Sequence, residues 1–158
     1  MTQTTTTSDT LIHDVHWEID YKVRLGQAWS RFMRGLQNKE LWATRTNDGA
    51  RTYLPPQTYD EATFEPITEW VQVEPVGTLR ASTIVYQGFE GGPAAPYAVG
   101  AIEIDGTDSL LMHFIGGVDL TDPDAARAQL RSGTRVRAVW ADERNAEITD
   151  IVHFAVES

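Results

Sequence analysis

Apolar positions along the chain change their period, and each change predicts an element. From Leu25 they fall at Leu25, Ala28, Trp29, Phe32, Met33 and Leu36, the three-and-four spacing of a helix with one apolar face. Gly35 marks a weakness near its end, and the polar run 37–40 leads into an extended segment. Residues 41–66 show little periodicity, are rich in Thr, Asp, Asn and Gly, and are broken by Pro55, Pro56 and Pro66; they predict irregular loops. Beyond them the period becomes two. Leu79, Ala81, Thr83 and Val85, then Val99 and Ala101, then Leu110, Met112 and Phe114 each share a face, predicting strands in succession. A helix follows, opened by Asp122 as N-cap with Pro123 in the first position, carrying Ala125, Ala126 and Leu130, and closed by Gly133. Two last strands place Val136, Ala138 and Trp140 on an inner face and Ile148, Val152, Phe154 and Val156 along the final segment.

Strand, strand, strand, helix, strand, strand is the order of the OB-fold, a five-stranded Greek-key barrel. The fold class expected is therefore mainly β: an OB barrel over 67–158, preceded by a tail over 1–16, a helical segment over 17–45 and a loop-rich segment over 46–66. A chain of 158 residues, 41% hydrophobic and 23% charged, suits one compact domain with a small appendage. It shows no run of the roughly 20 apolar residues that cross a bilayer and no basic, then apolar, secretion signal, so a cytoplasmic protein without a membrane partner is expected. Cysteine is absent, which removes disulfides and thiolate metal sites. Thirteen basic against 23 acidic residues leave a formal charge of −10, which disfavours nucleic acid as a general partner. All basic residues but Lys22 and Lys39 are arginines, whose planar forks suit local anion pairing.

Several segments carry a family resemblance. Arg31, Phe32, Met33, Arg34, Gly35 and Leu36, then Leu41, Trp42, Ala43, Thr44 and Arg45, then Tyr53, Leu54, Pro55 and Pro56, followed by Glu69, Trp70, Gly77, Thr78, Pro96 and Tyr97, resemble the acyl-CoA-associated OB-fold proteins with an N-terminal rubredoxin-like zinc ribbon, of the domain-of-unknown-function type. The similarity runs from about Leu25 to the C-terminus. That family places two Cys-x-x-Cys pairs around the Pro-Pro pair. Here the four positions hold Thr46, Gly49, Asp60 and Thr63, so a degenerate, metal-free ribbon is expected, with no zinc. Packing of Tyr53, Leu54, Tyr59 and Phe64 is expected to hold the loop instead.

The resemblance implies a non-catalytic accessory subunit of lipid metabolism that binds CoA or an acyl-CoA thioester and assists a thiolase-like, hotdog-fold hydratase-like or aldolase-like partner. Ordering the long pantetheine arm on a separate surface reduces the entropy lost at the partner's catalytic step. No tightly bound cofactor is expected. Candidate CoA contacts are the Gly-rich turns Gly88, Phe89, Gly91 and Gly92, with Tyr97, and Gly116 and Gly117, where backbone N–H groups can meet phosphate oxygens. Arg135 and Arg137, with Arg131 nearby, are candidates for the diphosphate. Trp29, Phe32 and Met33 are candidate partner contacts, and a homo-oligomer is a further option.

Other readings stay open. An oligonucleotide-binding module would stack bases on Tyr86, Phe89 or Tyr97 but needs a positive groove. A small stand-alone enzyme needs a titratable constellation, and the sequence contains no Gly-x-Ser-x-Gly elbow, phosphate-binding Gly-Lys-Ser/Thr loop or His-Glu-x-x-His helix. His13 and His16 are spaced for a metal but lack a third ligand nearby. His113 is expected to point opposite to Met112 and Phe114, as a bonded or surface side chain, and His153 is discounted alike. Asp142 and Glu143 fall in a turn.

Overall fold

The computed structural model describes residues 20–157, so the N-terminal tail with His13 and His16 lies outside the described residues. Helix α1 spans Gly26–Gln37. Strands β1 (Leu41–Arg45), β2 (Thr52–Tyr53) and β3 (Glu69–Val73) form a three-stranded antiparallel sheet in the order β2-β1-β3. Strands β4 (Val76–Val85), β5 (Tyr97–Ile104), β6 (Leu110–Gly116), β7 (Arg135–Trp140) and β8 (Ile151–Val156) close a barrel in the order β4-β5-β6-β8-β7. Helix α2 (Pro123–Gln129) lies between β6 and β7, which completes the OB-fold. Its N-cap is Asp122, whose side chain accepts from the N–H groups of Asp124 and Ala125, and Pro123 opens it as expected.

The stretch expected to be loops is instead organised. β1 and β2 pair within it, and the ribbon sheet extends from Leu41 to Val73. Short strands of mixed polarity carry too few residues for a period to register. Residues behind the family resemblance meet at this sheet: Phe32, Leu36, Leu41 and Ala43 are buried together, and the Arg31 guanidinium lies 4.5 Å from the Trp42 ring and 4.4 Å from the Trp70 ring. Gly35 has its reason here too, because a Cβ on it would sit 2.6 Å from Trp42 Cδ1.

One core runs from α1 through the ribbon sheet into the barrel, where Leu79, Ile102, Ile104, Leu111, Val136, Ile151 and Phe154 fill the interior. On β4, β5, β6 and the final segment the inward residues are not simply the faces that the sequence period picks out. On β6 they are Leu111, His113 and Ile115, and Leu110, Met112 and Phe114 face outward. On β5 Ala98, Gly100, Ile102 and Ile104 fill the core, Ala101 is buried as well, and Val99 is only partly buried. A bulge between Leu79 and Ala81 resets β4, so that Ala81 and Thr83 point away from the core that Leu79 fills. On the last segment Ile148 belongs to a 3₁₀ turn (Ile148–Asp150), and an irregularity opposite Val139 and Trp140 turns Val152 outward. Both faces of β6 are apolar, and period alone gives no means of choosing between them.

Candidate functional site

The outward apolar residues of β6 matter because of how the barrel closes. β6 and β8 pair in parallel only at Ile115 with Phe154 and Gly116 with Ala155. Below that point the strands part, and His113 and the 3₁₀ turn fill the seam. The Phe114 N–H donates to His113 Nδ1 at 2.9 Å, which leaves the ring proton on Nε2, 3.3 Å from the Ile148 carbonyl. The ring also lies edge-on to Phe154, with centroids 5.7 Å apart. Burial lowers the His113 pKa below the ordinary histidine value, so the ring is neutral at pH 7. His113 therefore points opposite to Met112 and Phe114 and is bonded on both nitrogens.

Outside this seam lies a groove of about 440 Å³, lined by Val99, Met112, His113, Phe114, Ile148, Thr149, Ile151 and Val152. His113 is the one titratable residue among them. Met112 is 61% exposed, and Phe114, Ile148, Val152 and the neighbouring Leu110 are also open to solvent. Such a concentration of exposed apolar side chains marks an interaction or ligand surface. It was missed in the sequence because Met112 and Phe114 read equally well as core.

None of the expected CoA residues is among the described residues that line this groove. Tyr97 lies edge-on to Phe114 with centroids 5.7 Å apart, which ties the β4–β5 loop carrying Gly88, Phe89, Gly91 and Gly92 to the groove's Phe114 side. Within that loop Gly91 has φ 78°, and a Cβ on Gly92 would meet the Phe89 ring at 2.7 Å. Gly116 is needed for packing, since a Cβ there would run into the His153 ring, and Gly117 turns the chain at φ 77°. Both arginines of β7 are already engaged. Arg135 forks onto Asp105 at 2.7 and 2.6 Å, holding that carboxyl below its ordinary pKa, and Arg137 Nε lies 2.8 Å from Glu157. A diphosphate would have to displace these carboxylates, and the pairs give no positive groove for a nucleic-acid strand.

The four positions that the resemblance sets against zinc ligands form two turns closed by hydrogen bonds. Thr46 Oγ1 donates to Asp48 Oδ1 at 2.6 Å, and the Gly49 N–H reaches the Thr46 carbonyl at 2.8 Å. Asp60 Oδ1 accepts from the Ala62 N–H at 2.9 Å and Oδ2 from Thr63 Oγ1 at 3.2 Å. Asn47, Asp48, Asp60 and Thr63 border a cavity of about 50 Å³ between the turns. The donor chemistry does not fit zinc: the four positions supply one carboxylate, already occupied by two donors, and among the described residues no three His, Cys, Asp or Glu side chains converge. Tyr53 and Leu54 are buried as expected, yet Tyr59 and Phe64 are exposed, so polar turn closure and not aromatic packing holds the second turn.

Of the expected partner contacts, Phe32 is wholly buried and Met33 packs against the core; Trp29 remains 39% exposed, braced edge-on by Phe32. The burial of Phe32 removes it as a contact surface.

A mixed five-stranded barrel with an intervening helix and an apolar groove at its parallel seam defines the class: an OB-fold protein. Residues 70–141 match the family model for the ChsH2 C-terminal OB-fold domain. No curated protein matches the chain significantly. Among solved structures, a DUF35-family protein of unknown function from Sulfolobus solfataricus is similar, at 18% identity over 83% of this chain and 84% of that one, with a TM-score of 0.59. So is a chain of the Ltp2-ChsH2(DUF35) aldolase, at 12% identity over 85% of this chain and 98% of that one, with a TM-score of 0.62. Residues 70–141 are thus similar to that OB-fold domain, and the two solved structures share the fold. Among the described residues no helix is long and apolar enough to cross a membrane.

Proposed function

We propose that this protein is a cytoplasmic, non-catalytic accessory subunit that holds a CoA thioester for a partner enzyme, with an aldolase-like partner first and thiolase-like or hydratase-like partners next. The observation that carries this reading is the apolar groove at the β6–β8 seam, where the one titratable residue among the described lining, His113, is neutral. An uncharged groove of this size suits an acyl chain and the adjoining pantetheine arm. It does not suit phosphates. With Arg135 and Arg137 paired internally, the diphosphate falls to the backbone N–H groups of the glycine-rich loops or to the partner. The ChsH2 relative is part of an aldolase, which supports assembly with an enzyme of that kind. The same reading includes a ribbon that works without zinc.

Calorimetry with acetyl-CoA and a longer acyl-CoA tests the groove. Affinity should rise with acyl length and fall about tenfold or more in Met112→Glu, where a charge enters the apolar lining. Equal affinity for CoA and long-chain acyl-CoA in the wild type would overturn the acyl assignment. Copurification from the native cell should recover an aldolase-like, thiolase-like or hydratase-like enzyme; thioester turnover by the chain alone would overturn the accessory role. Metal analysis of chelator-free protein should find no stoichiometric zinc, and one zinc per chain would overturn the metal-free ribbon.

A further inference from the structure

Phe64 has a conformation and an exposure that the fold does not account for. It follows the second turn of the ribbon at φ 58°, in the left-handed region where glycine is at ease and a bulky side chain is strained, and its ring is 80% exposed. A glycine would satisfy the turn, whose closing bond is made by the Phe64 backbone N–H to the Asp60 carbonyl at 2.9 Å. Strain kept for a side chain that buries nothing points to a use outside the chain.

The surroundings say what that use is. Phe64 borders a groove of about 560 Å³ with Trp29, Pro55, Pro56, Tyr59 and Glu61. Tyr59 is 58% exposed, so three aromatic rings face one concavity. Among the described residues its lining includes the carboxylates Asp60 and Glu61 and no Lys or Arg. Asp60 is spent on its own turn, whereas Glu61 Oε1 takes one bond, from Gln57 Nε2 at 3.0 Å, and keeps acceptor capacity facing outward. Aromatic faces beside an available carboxylate complement a guanidinium, and an aromatic-lined groove takes an extended chain.

We propose that this groove docks an extended segment of the partner protein in which an arginine, flanked by proline or other apolar residues, lies against Trp29, Tyr59 and Phe64 and pairs with Glu61. The inference rests on the accessory-subunit reading and adds to it a second contact surface, away from the barrel groove.

The test is selection from a random dodecapeptide library on the immobilised full chain. Peptides carrying arginine beside proline or apolar residues should be enriched. The best of them should bind Phe64→Gly and Trp29→Ala about tenfold or more weakly, and Glu61→Gln more weakly with a smaller salt dependence. Phe64→Gly should at the same time match or exceed the wild-type Tm, since glycine relieves the strained position. Equal peptide binding by Phe64→Gly, enrichment without arginine, or no enrichment would overturn the proposal. A lowered Tm in Phe64→Gly would overturn it too, by assigning the ring to the fold, as would dimer dissociation by that variant in sedimentation, which would assign the groove to a second copy. Failure to bind acyl-CoA would count against the accessory reading while leaving the peptide result readable in its own right.

Discussion

In the barrel, Leu79, Ile102, Val136 and Phe154 meet in a buried interior, and long ladders between β4 and β5, β5 and β6, and β7 and β8 secure it. In the ribbon, two turns are shut by side-chain oxygens of Thr46, Asp48, Asp60 and Thr63 around a cavity of about 50 Å³. The first arrangement is cooperative, because removing any buried group loosens all of its neighbours. The second is local. Each turn is closed separately, and the shared core beneath, through Leu41 and Leu54, holds them in register.

The largest effect should come from breaking the cooperative half. Phe154→Ala removes a fully buried ring from the barrel centre and should cost about 3–5 kcal/mol in denaturant unfolding. Since core residues of α1, the ribbon and the barrel form one cluster, all probes should lose structure in one transition. A separate, undisturbed ribbon transition would refute the shared core.

Next comes the local half. Asp60→Ala leaves the Ala62 N–H and the Thr63 hydroxyl without their acceptor, and should cost roughly 1–2 kcal/mol. Hydrogen exchange should speed up over residues 58–66 and stay slow in β5 and β6. Uniform loss of protection would show that the turns are as cooperative as the barrel.

This contrast also explains what could be read in advance. The barrel's strand order and the α2 cap were legible because Asp122, Pro123 and the period-two runs are local signals, each strong by itself. Which face of β6 is inside was not, because Leu111 and Ile115 compete with Leu110, Met112 and Phe114 on equal hydrophobic terms, and only the register with β5 and the seam with β8 decide. The groove was invisible for the same reason. The ribbon strands were hidden by their length, although Thr46 with Asp48 and Asp60 with Thr63 have the spacing of side-chain-closed turns and offered a usable signal. The pairing of Arg135 with Asp105 and of Arg137 with Glu157 depends on barrel closure and had no signal in sequence distance.

A smaller effect probes the junction between the two halves. Arg31 lies against both Trp42 and Trp70, so Arg31→Ala should cost about 1 kcal/mol and alter tryptophan fluorescence, with Arg31→Lys restoring part of the stability. Unchanged stability in both variants would mean that the rings pack as well on each other as on the guanidinium.

The most delicate effect is read as a slope against pH and concerns the seam alone. His113 is held neutral chiefly by burial, so its folded pKa lies below that of the unfolded chain. As pH falls through about 6.5 the unfolded state takes up a proton that the folded state refuses, and stability declines until the depressed folded pKa is reached. The carboxylates with lowered values, among them Glu103 and Asp105, respond only at more acidic pH, below their ordinary range, which keeps the two regimes apart. His113→Gln, which keeps a donor for the Ile148 carbonyl, should flatten the slope just below about pH 6.5 while lowering stability at pH 8. An unchanged slope would place the pH response elsewhere and would separate the seam's polar closure from its apolar groove.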